Sequence, residues 1–209
     1  MDPEKRFSGG SKGLQRTAVI VTAQKPRILI VRLSAIGDCV LTVPLVHAIR
    51  QRYPEAHIAW IVEERAASLL EGLRGLDELL VVPRKWLRSL RTVLRIRREL
   101  RDRRFEISID PQSLTKSSLL GLLSGAKQRI CFGPPDGREL APMLGNCRVQ
   151  ARGEHLVDRT LELLRPLGIE HAEASFELPR YPGAESIINF IHSNLGDRYP
   201  VHKWQFERV

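Results

Sequence analysis

The chain has 209 residues, enough for one full domain and a remainder but too few for two complete α/β domains. Hydrophobic residues at 43% and charged residues at 27% support a packed core and exclude global disorder, and no uncharged stretch approaches the roughly 20 residues that a membrane-spanning helix needs. The net charge of +9 is concentrated in residues 84–104, where ten Lys or Arg face only Glu99 and Asp102, which points to one anionic contact surface rather than a general nucleic-acid coat.

Residues 1–25, with Asp2-Pro3 and Ser8-Gly9-Gly10-Ser11, read as a disordered leader; the apolar Thr17–Ala23 is at the short end for a secretory signal. Arg27–Leu33 is a nearly continuous apolar run, as expected of a strand buried on both faces. Ser34–Asp38 is a turn, and Cys39–Arg52 has helical spacing up to Tyr53-Pro54. His57–Val62 reads as a second strand, Ala66–Leu73 as a helix and Glu78–Val82 as a third strand. The basic segment follows as one long amphipathic helix, with Trp86, Leu90, Val93, Leu94 and Leu100 on one side. Phe105–Asp110 is a fourth strand and Leu114–Leu123 a helix ended by Ser124-Gly125. Arg129–Phe132 and Cys147–Gln150 are short strands around a turn-rich insertion, and His155–Leu167 is a helix stopped by Gly168.

Strands alternating with helices at this spacing predict a doubly wound parallel α/β sheet. Phe176–Gly183 has the composition of a linker, and the 26 residues 184–209 are too few for a second α/β domain. The expected organisation is a leader (1–25), a domain (26–175), a linker (176–183) and the start of a truncated second domain (184–209). Cys39, Cys131 and Cys147 lie far apart without a CxxC pair, which argues against a disulfide framework or a zinc site. The six histidines show no metal spacing, so no metal is expected.

Ligands of a doubly wound sheet bind outside the carboxyl ends of its strands, which places Ser34–Asp38 at that edge. Gly37 permits a tight turn there, and Asp38 at the start of the next helix is either a carboxylate facing the crevice or an ordinary N-cap. Lys116 and Ser117, at the crossover after the fourth strand, either bind an anion or start a helix. The basic segment is either a solvated helix face or a contact for lipid phosphates and an anionic leaflet, through Arg84, Lys85, Arg88, Arg91, Arg95 and Arg98.

The whole stretch ILIVRLSAIGDCVLTVPLVHAIRQRYPEAHIAWIVEE resembles the amino-terminal signature of the ADP-heptose:lipopolysaccharide heptosyltransferases, glycosyltransferase family nine. Residues 109–117 look like that family's D-x-Q-G-x-x-[KR]-S stretch, with Ser113 at the glycine. Residues 124–133 resemble its S-G-A-x-x-R-I-G-F run, with Cys131 at a glycine, and Glu154–Arg159 resembles the start of its H-x-V-[DE]-R helix. The likeness implies half of a GT-B enzyme: a Rossmann-like acceptor domain that partners a donor domain binding ADP-heptose. It implies an inverting, metal-independent transfer of heptose to the lipid A–Kdo inner core, with no cofactor, at the cytoplasmic face of the inner membrane. Asp38 maps to the family's general base, and Ser34, Gly37, Gln112, Lys116 and Ser117 to the acceptor side. Arg198–Val209 lies against the family's R-W-x-T-K-x-W-P-x-E-R-F run, which puts His202, with Lys203 beside it, at the donor diphosphate. The alternatives are a truncated, inactive fragment that binds acceptor or anionic membrane without catalysis, and a nucleic-acid binder. The latter lacks aromatic interleaving in the basic helix, so no nucleic acid is expected.

Overall fold

A computed structural model describes residues 25–178. The expected leader (1–24 of it) and second-domain start therefore lie outside the described residues, as do His202 and Lys203. Six strands form one sheet: β1 (Arg27–Val31), β2 (His57–Glu63), β3 (Glu78–Val82), β4 (Ile107–Asp110), β5 (Gln128–Phe132) and β6 (Cys147–Val149). Their order is β3-β2-β1-β4-β5-β6, and every pairing is parallel. The chain winds outward from β1 in one direction to β3, then returns to the other side of β1 with β4. The switch point of this topology therefore lies between the carboxyl ends of β1 and β4.

Period-two alternation splits each central strand between two cores. Ile28 and Ile30 of β1 and Ile58, Trp60 and Val62 of β2 face one layer. Leu29 and Val31, with Ala59 and Ile61, face the other. The first layer is closed by α2 (Val43–Arg52), α3 (Glu64–Leu70) and α7 (Leu156–Glu162), the second by α4 (Leu90–Asp102) and α5 (Thr115–Ser124). Burial on both faces explains why β1 and β2 carry unbroken apolar runs.

The predicted Cys39–Arg52 helix is two helices, α1 (Ile36–Val40) and α2, broken at Leu41–Thr42. Pro44 is the physical reason: it has no N–H to give the Val40 carbonyl, and its ring would collide with it. The long basic helix is also shorter than predicted. Trp86–Arg88 is a 3-10 turn, Ser89 is the N-cap with Oγ accepting from the Thr92 N–H at 3.3 Å, and α4 begins at Leu90. Trp86, Ile96 and Leu100 are buried, while Leu90 and Leu94, expected on the packed side, are exposed. The predicted His155–Leu167 helix ends early at Glu162 and resumes as a 3-10 turn, Arg165–Leu167, around Pro166. Glycine stops two helical segments as predicted: Gly125 closes α5 at φ +77° and Gly168 closes the last turn at φ +74°, both left-handed. The insertion between β5 and β6 contains one further helical turn, α6 (Ala141–Leu144).

Candidate functional site

A charged residue follows β1 directly and another ends each of β2 and β4, and these side chains build the crevice. Arg32 follows β1 and is buried; its Nη1 donates to the Pro111 carbonyl at 3.1 Å, across the switch point. Its Nη2 forms a close ion pair with Asp38 Oδ2. The Ala35 N–H approaches the same oxygen at 3.4 Å. Both contacts use Oδ2, so the carboxylate is fixed from behind while its side chain remains 40% exposed in front.

Asp38 is not an N-cap. Ala35 holds that position for α1 and Thr42 for α2, and Asp38 is the third residue of the five-residue α1. The Thr42 hydroxyl donates to the Asp38 carbonyl at 2.8 Å, which ties the break after α1 back to the carboxylate's own backbone. Gly37 also differs from its predicted role. Its backbone is right-handed helical, and a Cβ there would meet nothing within 4 Å. The glycine relieves no strain; it leaves open space beside Asp38.

The other wall is the turn after β4. Gln112 Oε1 accepts the Leu33 N–H at 2.9 Å, continuing the junction of β1 and β4 beyond the strands. Asp110 ends β4 in full burial. Its Oδ1 accepts the N–H groups of Gln112 and Ser113 at 3.1 and 2.8 Å, and its Oδ2 accepts the hydroxyls of Ser117 and Ser118. Burial outweighs these four hydrogen bonds and pushes the Asp110 pKa from 3.8 up to about 6. Ser117 is wholly buried and its Oγ also accepts the Leu114 N–H at 3.1 Å, so it stabilises the turn and does not face the crevice. Lys116 donates to the Arg84 carbonyl at 2.8 Å and forms a close ion pair with the buried Glu63 at the end of β2. Ser34 is half-buried at the crevice, and Ala35, Ile36 and Gly37 are exposed.

Through the Lys116 contact the basic segment begins at this same edge. Arg84, Lys85, Arg88, Arg91, Arg95 and Arg98 are all exposed. A cavity of about 420 Å³ lies elsewhere, lined by Asp158, Leu161, Glu162, Glu170, His171 and Glu173. It shares no residue with the crevice, and its acidic lining disfavours anions. Among the described residues no group of three His, Cys, Asp or Glu is placed to hold a metal ion. The three cysteines are free and buried. Sequence pattern alone gives Arg32, Glu63 and Asp110 no role, although a charge at the end of an apolar strand is a signal it carries.

No protein-family model matches the chain. Lipopolysaccharide heptosyltransferase 1 of Salmonella typhimurium is 30% identical over 192 residues, which span 84% of this chain and 57% of that protein. Lipopolysaccharide core heptosyltransferase OpsX of Haemophilus influenzae is 26% identical over 181 residues, 84% of this chain and 51% of that protein. Among solved structures, Escherichia coli heptosyltransferase WaaC with ADP-2-deoxy-2-fluoro heptose superposes with a TM-score of 0.60 at 26% identity, covering 80% of this chain and 54% of that one. The chain is thus a relative of the heptosyltransferases of glycosyltransferase family nine. It spans about half the length of the curated relatives it matches. A family nine glycosyltransferase from Veillonella parvula, at 20% identity and a TM-score of 0.66, supports the same fold over 85% of the chain. The six-stranded parallel sheet thus corresponds to half of a GT-B heptosyltransferase.

Proposed function

We propose that this chain supplies the acceptor side of an inverting heptosyl transfer, from ADP-heptose to the lipid A–Kdo inner core of lipopolysaccharide, with Asp38 as general base. The observation that carries the reading is the Asp38 carboxylate, part-exposed at the β1/β4 switch point with Oδ2 fixed by Arg32 and Ala35 and open space beside Gly37. The relatives' names and the ADP and ADP-2-deoxy-2-fluoro heptose held by WaaC support the substrate class.

In this reading the acceptor hydroxyl gives its proton to Oδ1 of Asp38 as its oxygen bonds to the anomeric carbon. The bond from that carbon to the ADP oxygen breaks on the opposite face, and ADP leaves with the electron pair. A general base positioned in this way contributes about 10²–10⁴-fold. Ser34 and Gln112 border the space the acceptor occupies. An acidic acceptor sugar competes with Glu63 for Lys116, and Ser117 has no part in binding.

The test is titration of the isotopically labelled chain with a Kdo-bearing lipid A analogue. Backbone amide shifts are expected at residues 33–38 and 112–116. Saturable binding that leaves both segments unperturbed would overturn the assignment of this crevice.

A further inference from the structure

We infer that the outer face of residues 86–102 is an interfacial membrane anchor, in which leucines insert shallowly among anionic headgroups and arginines hold the phosphates around them. The inference stands apart from the sugar-transfer reading, because it rests on this surface alone. Leu90 is 72% exposed, Leu94 53% and Leu87 47%, three large apolar side chains within one stretch of eight residues. Leu90 and Leu94 are one turn apart and share a flank of α4 with Arg97 and Arg98, while Ile96 and Leu100 turn the opposite flank into the core.

The charges around the leucines are free for a partner. Arg88, Arg91, Arg97 and Arg98 make no ion pair among the described residues, and Arg95 reaches Glu99 only at 3.8 Å with both side chains largely exposed. Burial of apolar area and attraction to anionic lipid add together in interfacial binding, and this face offers both. A nucleic acid would use the arginines but not the leucines. The aromatic residue that base stacking requires is missing as well, because Trp86 is buried in the core. Lys116 links the start of this face to the crevice through the Arg84 carbonyl, so docking here brings the crevice to the membrane surface.

The full chain is to be sedimented with phosphatidylcholine vesicles, with and without equimolar phosphatidylglycerol, over a salt series. Binding at least tenfold tighter to the anionic vesicles is expected. Changing Leu87, Leu90 and Leu94 together to Ser should weaken it about tenfold or more at unchanged net charge. Arg88, Arg91, Arg95 and Arg98 changed to Gln should weaken it similarly and flatten its salt dependence. A Leu90→Cys variant carrying an environment-sensitive fluorophore reports insertion directly, since the native cysteines are buried. Its emission should shift to the blue with anionic vesicles and be quenched by shallow spin-labelled lipid. Vesicle affinity indifferent to the leucine changes, a fluorophore that stays in water while the chain is bound, or tighter binding to duplex DNA than to anionic vesicles would each overturn the inference. If the triple variant loses its native circular dichroism, the labelled single variant decides.

Discussion

Replacing Asp110 by Asn removes a buried charge and leaves the hydrogen-bond geometry intact. The Asn carbonyl oxygen takes over the N–H groups of Gln112 and Ser113. Its amide donates to the two serine hydroxyls, and Ser117 can turn its own proton to the Leu114 carbonyl, 3.0 Å away. In the wild type, burial keeps the carboxyl protonated up to about pH 6, whereas in the unfolded chain it ionises near 3.8. The folded pKa is the higher one, so stability is greatest below 3.8 and falls as pH rises through about 6. At 1.36 kcal/mol per pKa unit the complete loss is about 3 kcal/mol. At pH 5 the unfolded carboxyl is already ionised and the folded one largely is not, so about half of the loss has occurred; about 1.5 kcal/mol remains between pH 5 and pH 8. Urea unfolding of the full chain and of Asp110→Asn at both pH values isolates this group, because all other titrations cancel in the difference. The variant should gain about 1.5 kcal/mol relative to wild type between pH 5 and pH 8. Asp110→Ala, which strands two backbone N–H groups, should lose about 2–5 kcal/mol at both. Parallel pH curves for wild type and Asp110→Asn would mean that the folded carboxyl ionises no higher than in water and that its four hydrogen bonds at least offset burial.

Three further outcomes follow from the same geometry. In a chimaera carrying the carboxy-terminal half of a family member, Asp38→Asn should lower kcat about 10²-fold or more with the fold intact, and an unchanged kcat would leave Asp38 without a catalytic role. Arg32→Met should destabilise the chain by about 2–4 kcal/mol in urea, less than for a fully buried pair because Asp38 keeps access to water, and a change below about 0.5 kcal/mol would show that the Pro111 and Asp38 contacts hold nothing together. Burial pushes the Cys39 and Cys131 thiols up to about 11 and about 12 and raises that of Cys147, so all three should react with a disulfide reagent at pH 8 only after unfolding; rapid modification of the native chain would contradict their burial.

Local chemistry carried much of the fold. The apolar runs of β1 and β2 identify strands buried on both faces, since no other placement shields so many consecutive side chains, and Gly125 and Gly168 mark helix ends because the left-handed residue needed there has little cost only for glycine. The position of Asp38 at the sheet edge also follows from the strand–turn–helix order alone. What surrounds that carboxylate was settled by tertiary structure. Arg32 meets Pro111, and Leu33 meets Gln112, across 79 residues of sequence, and only the return of β4 to the side of β1 brings them together. The same packing turned Ser117 inward to Asp110 and set Glu63 against Lys116. In α4 the apolar residues outnumber the positions that one helix face can bury, so their spacing left the phase open. Contact with the sheet took Ile96 and Leu100 into the core and left Leu90 and Leu94 outside, because a helix lying on a sheet has one buried face whose direction is set by the strands beneath it.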